Sequence, residues 1–154
     1  MIYTAVSFLG CFLGYITARF TKEELKSGKN YFNILELIIM FILLVILIYY
    51  SFDLSLFLIG ILLGLILRFE YFYFGAAIAS SFNLNLSFLS SALVFVYGLP
   101  YGSLIYYYKK VKYLVYSLIF FSLPMLNYFF NYNLLSISAG GLLSLFIIKI
   151  KNLR

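Results

Sequence analysis

Glu36 is the one acidic residue that falls clearly inside an apolar run, the stretch from Tyr31 to Tyr50. An ionisable group in a hydrocarbon setting is expensive, so it marks either a proton- or substrate-linked site or a buried ion pair. Arg68 and the lysines of segment 19–30 are the partners the sequence offers for such a pair. A second interruption lies in Val94 to Leu104, where Gly98, Pro100 and Gly102 break a long apolar stretch. Pro100 cannot donate to the carbonyl of Val96 and its ring crowds that carbonyl, so the helix is expected to kink or open there. In lipid the freed acceptor needs a hydroxyl, a water or a ligand. Ser90, Ser91, Tyr97, Tyr101 and Ser103 could serve from the same run, and Ser117 and Ser122 from the next. Val96, Tyr97, Gly98, Pro100 and Gly102 thus form a candidate midplane site, since Gly- and Pro-interrupted spans point to transporter binding sites. A plain structural kink is the alternative.

Equipment for covalent chemistry is sparse. The chain has no histidine and a single cysteine, Cys11. No histidine-based acid–base pair or histidine-liganded metal can form, and Cys11 has no polar neighbour in sequence to activate it. The acids are too few and too scattered for a paired-carboxylate mechanism, and no Gly-rich phosphate loop is present. No catalytic residue, metal or cofactor is implied.

The elements that must position these residues are membrane spans. The chain is 65% hydrophobic and 10% charged over 154 residues, whereas soluble domains carry about 25% charge. Long apolar runs recur from end to end, which predicts an all-α polytopic integral membrane protein with no soluble domain. About seven helices are expected: Ile2–Ala18, Tyr31–Tyr50, Leu54–Leu67, Tyr71–Phe82, Ser87–Tyr108, Tyr113–Phe130 and Leu134–Ile148. Segment 19–30 reads as a cytoplasmic loop with one surface turn, started by Thr21 and Glu24 as a capping box and stopped at Gly28. Asp53 and Glu70 fall in turns and are expected to be solvated. The third and fourth helices are short for a hydrocarbon core about 30 Å thick, so a re-entrant fourth helix is the fallback.

Charge tests this parsing. The net charge is +6, from eleven Lys and Arg against five Asp and Glu. With seven spans, Arg19 to Lys29, Arg68, Lys109 to Lys112 and Lys149 to Arg154 all fall on one side. The positive-inside rule makes that side cytoplasmic, with the amino terminus outside. The rim they form could meet anionic lipid head groups. Nucleic acid is not an expected partner, because the cations sit in short groups between apolar runs.

The outward-to-inward helices share a pattern: Gly10 and Gly14, Gly60 and Gly64, Gly98 and Gly102, Gly140 and Ser144. Small residues four apart let helix backbones approach closely. They predict helix packing, with a common seam or pore, or an internal duplication, as the sharper alternatives.

These readings converge on a non-enzymatic protein integral to a membrane, the plasma membrane of a prokaryote. It is expected to be a small transporter or channel, or the membrane subunit of a larger complex. Its expected partners are the bilayer and further copies or membrane subunits. The alternatives are a scaffold without its own ligand and a lipid-directed enzyme using Glu36 and the basic rim.

Overall fold

A computed structural model describes residues 2–81, 83–127 and 133–153. Its helices are α1 (Ile2–Phe20), α2 (Lys22–Tyr50), α3 (Leu54–Ile66), α4 (Glu70–Ala79), α5 (Leu84–Tyr107), α6 (Val111–Ser122) and α7 (Leu135–Leu153). A 3-10 turn, Leu123–Leu126, extends α6. No strand occurs among the described residues. Among the described residues three segments are long and apolar enough to cross a membrane, Ser27–Tyr50, Leu84–Tyr107 and Leu135–Asn152. The expected turn at residues 131–133 lies partly outside the described residues.

The expected loop at 19–30 is helical instead. Only Thr21 separates α1 from α2, and α2 extends without interruption to Tyr50. Lys22 to Leu25 are all good helix formers, and one interior glycine costs only about 1 kcal/mol, so Gly28 does not stop the helix. Leu25 anchors the extension by burial. The expected capping box does not form: the Thr21 hydroxyl donates to the Thr17 carbonyl and makes no cap. Other ends are capped as their side chains allow. Asp53 accepts from the Ser55 and Leu56 amides at 2.9 and 3.2 Å, and Asn83 from the Asn85 amide at 2.9 Å.

Two helix pairs dominate the packing, α1 with α5 and α3 with α7. A β-carbon on Gly10 or Gly14 would strike the Phe95 or Leu99 backbone, and one on Gly98 or Gly102 the backbone of Gly10, Cys11 or Tyr15. Gly60 and Gly64 abut Ile137, Gly141 and Ser144, while Gly140 abuts Phe57 and Ile61. Contacts in both pairs advance together along the two chains, so each pair is parallel. The small residues therefore make two separate seams, not one common pore.

α4 lies in the middle of the bundle. Tyr71 and Tyr73 to Ala79 are all buried, against α5, α6, α7 and the 3-10 turn. Small residues make this possible: a β-carbon on Gly75 would meet the Phe121 backbone. The far ends of α2 and α4 are tied to the start of α7. The Asp53 amide donates to Ser136 Oγ at 3.0 Å, Ser136 Oγ donates to the Ser51 carbonyl at 3.0 Å, and Asn127 and the Leu134 amide donate to Ser80 Oγ.

The opposite end is basic. Lys29 Nζ lies 5.2 Å from the Tyr108 ring centre, Lys110 5.4 Å from Tyr113, and Lys22 and Lys109 line one shallow pocket. Outward faces of α1, α2, α3, α5 and α6 expose Leu9, Ile38, Phe41, Leu62, Phe88 and Ile119. Apolar cover on that scale is typical of surfaces that meet lipid or another apolar partner.

Candidate functional site

Glu36 belongs to a buried stripe of α2 with Met40, Leu43 and Leu47. Residues at i, i+4, i+7 and i+11 share one helix face, so the carboxyl is carried inward by the apolar residues that follow it. Lys149 occupies the matching place on α7, after Ser138, Leu142 and Leu145, which are also buried. The two stripes meet. Lys149 Nζ pairs with Glu36 Oε2, lies 3.0 Å from Glu70 Oε1 and donates to the Tyr97 hydroxyl at 2.9 Å. The Glu36 side chain is 2% exposed, against 16% for Glu70 and 21% for Lys149.

An ammonium carries three N–H donors, and here three oxygens take them. Two carboxyl groups thus face one saturated cation. Glu36 Oε1 is buried and has no hydrogen-bond partner. Such an atom is costly to leave unsatisfied, about 1–3 kcal/mol and more for a charged group. Glu70 opens α4, where a carboxylate also suits the positive end of the helix dipole.

Tyrosine rings close the cluster toward the core. Tyr97 lies 5.8 Å from Tyr101 and 6.2 Å from Tyr71, ring centre to ring centre, and Tyr101 shares a hydrogen bond with Ser117 at 3.1 Å. On the other side a pocket of about 210 Å³ opens at the basic end. Asn33, Glu36, Tyr101, Tyr108, Lys110, Tyr113 and Lys149 line it, with Leu104 and Ile105.

The structure disperses the residues expected at the midplane. Val96 points outward at 42% exposure, beside an apolar groove between α1 and α5. Gly98 and Gly102 are filled by the α1 backbone, and only Tyr97 reaches the ionic cluster. Pro100 is buried within a continuous helix, not an opened one, since α1 holds the glycines on either side of it. The hydroxyls considered for the Val96 carbonyl are engaged elsewhere or unpartnered. Ser103 donates to Gly14 and Leu99, Ser122 to Ile119, and Ser90 and Ser91 Oγ have no partner.

Arg68 does not meet Glu36. It is exposed, and its Nε donates to the Leu65 carbonyl at 3.4 Å at the end of α3. Glu70, expected in a solvated turn, and Lys149, expected at a helix end, are the actual partners. α7 continues to Leu153, which places Lys149 inside it. The signal was present in the spacing from Ser138 to Lys149, masked because a lysine after an apolar run reads as its end.

Among the described residues no three His, Cys, Asp or Glu side chains are grouped to hold a metal ion. Cys11 is buried in the α1–α5 seam. What the arrangement sets together is a locked counter-charge, an aromatic wall and a buried, unsatisfied acceptor, beside a pocket open at one end. Comparison with known protein families, curated proteins and solved structures finds no match for this chain.

Proposed function

We propose that this chain is a small membrane carrier that admits a polar solute from the cytoplasmic side to the Glu36–Lys149–Glu70 cluster. The observation that carries this reading is a buried ionic cluster, with one carboxyl oxygen unpartnered, at the floor of a pocket open at the basic end. Intramembrane charges that serve only structure need no approach from solution, and this cluster has one.

The carrier would cross the bilayer about seven times, amino terminus outside and carboxyl terminus in the cytoplasm. Two observations support that topology. The parallel pairing of α1 with α5 and α3 with α7 requires an odd number of crossings between the members of each pair, which the three helices α2–α4 and α4–α6 provide. Basic residues of the α2 start, the α5–α6 turn and α7 gather at one end, as the positive-inside rule asks of a cytoplasmic face. α4, ten residues and thus about 15 Å long, cannot span alone. Its longer neighbours enclose it, so lipid need not thin to its length.

A second reading, the membrane subunit of a larger assembly, draws on the apolar groove of about 400 Å³ lined by Tyr3, Val6, Phe88, Ala92, Phe95 and Val96. The lipid-directed enzyme has less support, because Lys149 already holds one oxygen of its base, Glu36.

Proteoliposomes separate these readings. Uptake of radiolabelled amines, amino acids, organic acids, sugars and inorganic ions should be saturable for one class and absent in Glu36→Gln. Silence to every class from folded protein would sink the carrier and leave the subunit.

A further inference from the structure

We infer that the pocket at the basic end selects a compact zwitterion, with a primary ammonium on Glu36 Oε1 and an anionic group on Lys110. The inference deepens the carrier reading by naming its solute class, and it rests on the same pocket.

The floor decides the first half. Lys149 has no N–H left to offer an anion, because Glu36, Glu70 and Tyr97 take all three. The acceptor left unsatisfied beside the floor is Glu36 Oε1, buried and unpartnered, which a ligand donor meets as the Glu36 side chain turns toward the pocket. Of the donors that could satisfy it, an ammonium also answers the excess of two carboxyl groups over one cation. Tyr101, Tyr108 and Tyr113 line the pocket, and aromatic faces favour cations.

The rim decides the second half. Lys110 Nζ stands 5.6 and 5.4 Å from the ring centres of Tyr108 and Tyr113. It enters no ion pair among the described residues. Among the described residues, an anion at the mouth therefore meets a cation that no carboxylate already holds, while an anion at the floor meets Glu36.

Size sets the class. About 210 Å³ is the room of roughly seven waters at about 30 Å³ each, below the range of sites for drug-sized ligands. A small amino acid or a phosphoethanolamine group fits those limits. The second exists both as a free solute and as a lipid head group, with the same ammonium and phosphate.

Calorimetry on the purified full chain in a maltoside detergent tests the inference with phosphoethanolamine, ethylamine and inorganic phosphate as separate probes. Phosphoethanolamine should bind about fivefold tighter than ethylamine, the worth of one exposed charge pair. Phosphate alone should bind far more weakly than either. Glu36→Gln should weaken both amines at least about tenfold, since a charged acceptor is lost from a buried hydrogen bond. Lys110→Ala, on the exposed rim, should bring phosphoethanolamine to the ethylamine level and leave ethylamine unchanged, with Tm near that of wild type. The inference is overturned if phosphate binds as tightly as phosphoethanolamine, or if Lys110→Ala leaves the ratio of the two amines intact. Nanodiscs identify the source: competition by phosphatidylethanolamine, absent with phosphatidylglycerol, assigns the site to the head group, and equal affinity in both assigns it to the free solute. Saturable binding without uptake removes the carrier and keeps the site. Uptake of a solute that phosphoethanolamine cannot displace removes the site and keeps the carrier.

Discussion

Replacing Lys149 by Met should be among the most damaging single changes in this chain. The thioether is similar in length and suits an apolar interior, so packing is nearly conserved and the perturbation is electrostatic. Glu36 would remain 2% exposed with no counter-charge, and Glu70, 16% exposed, would lose its partner. Removing one member of a buried pair typically costs about 3–5 kcal/mol. The partial exposure of Glu70 and Lys149 favours the lower end, about 3 kcal/mol. For a chain of this size each kcal/mol shifts Tm by roughly 2–4 °C, so the loss should be about 6–12 °C. Thermal unfolding in one detergent, followed by circular dichroism, reads it directly. Glu36→Gln on the Lys149→Met background should recover much of the loss, because it removes the stranded charge and leaves a neutral group of the same shape. A Tm for Lys149→Met within about 2 °C of wild type would refute the account. So would a double variant no better than the single one.

Gly102→Val should part α1 from α5, since its β-carbon would lie 2.7 Å from the Tyr15 amide nitrogen, a backbone atom that cannot yield. Loss of the monodisperse peak on size exclusion is the readout. Gly28→Ala should do the opposite and raise Tm by a few degrees: its β-carbon would meet only the Phe32 ring tip at 3.4 Å, and alanine gains up to about 1 kcal/mol over glycine inside a helix. The reversed ranking would refute the seam. With Cys11 replaced by Ala, single cysteines at Lys109 and Asp53 should react with an impermeant maleimide from opposite faces of the membrane. Labelling from one face would defeat the seven-span topology.

The fold was legible where one physical requirement dominates. Apolar runs marked the helices but not their caps: Asp53 read as a solvated turn residue and α5 as starting at Ser87, whereas the side chains of Asp53 and Asn83 take amide protons at the starts of α3 and α5. Segment 19–30 misled because charge and glycine read as a break, although lysine and leucine also favour helix and Leu25 had an apolar site to fill. The site was half legible. Glu36 stood out as an acid among apolar residues, but its partner lay more than a hundred positions away behind a lysine that looked terminal. Pairing of two such residues is a tertiary event with no local trace, beyond the matching periodicity of α2 and α7. Pro100 was the converse case, conspicuous in sequence and absorbed by packing, because the α1 backbone holds both flanking glycines.

The position of the cluster within the packing bears on how a carrier could work. Each glycine seam brings two backbones into contact, so α1 with α5 and α3 with α7 behave as stiff pairs. Lys149 belongs to the second pair and Tyr97 to the first, while Glu36 and Glu70 come from α2 and α4, which pack against both. Any sliding of one pair against the other therefore changes the Lys149 contacts before it disturbs either seam. On the proposed reading, a ligand donor on Glu36 Oε1 would compete with Lys149 for the same carboxyl group, so occupancy of the pocket would loosen the link between pairs. A ligand can shift such an equilibrium only by its difference in affinity for the two arrangements. In this bundle that difference would reside in one carboxyl group shared between a bound ammonium and the chain's own.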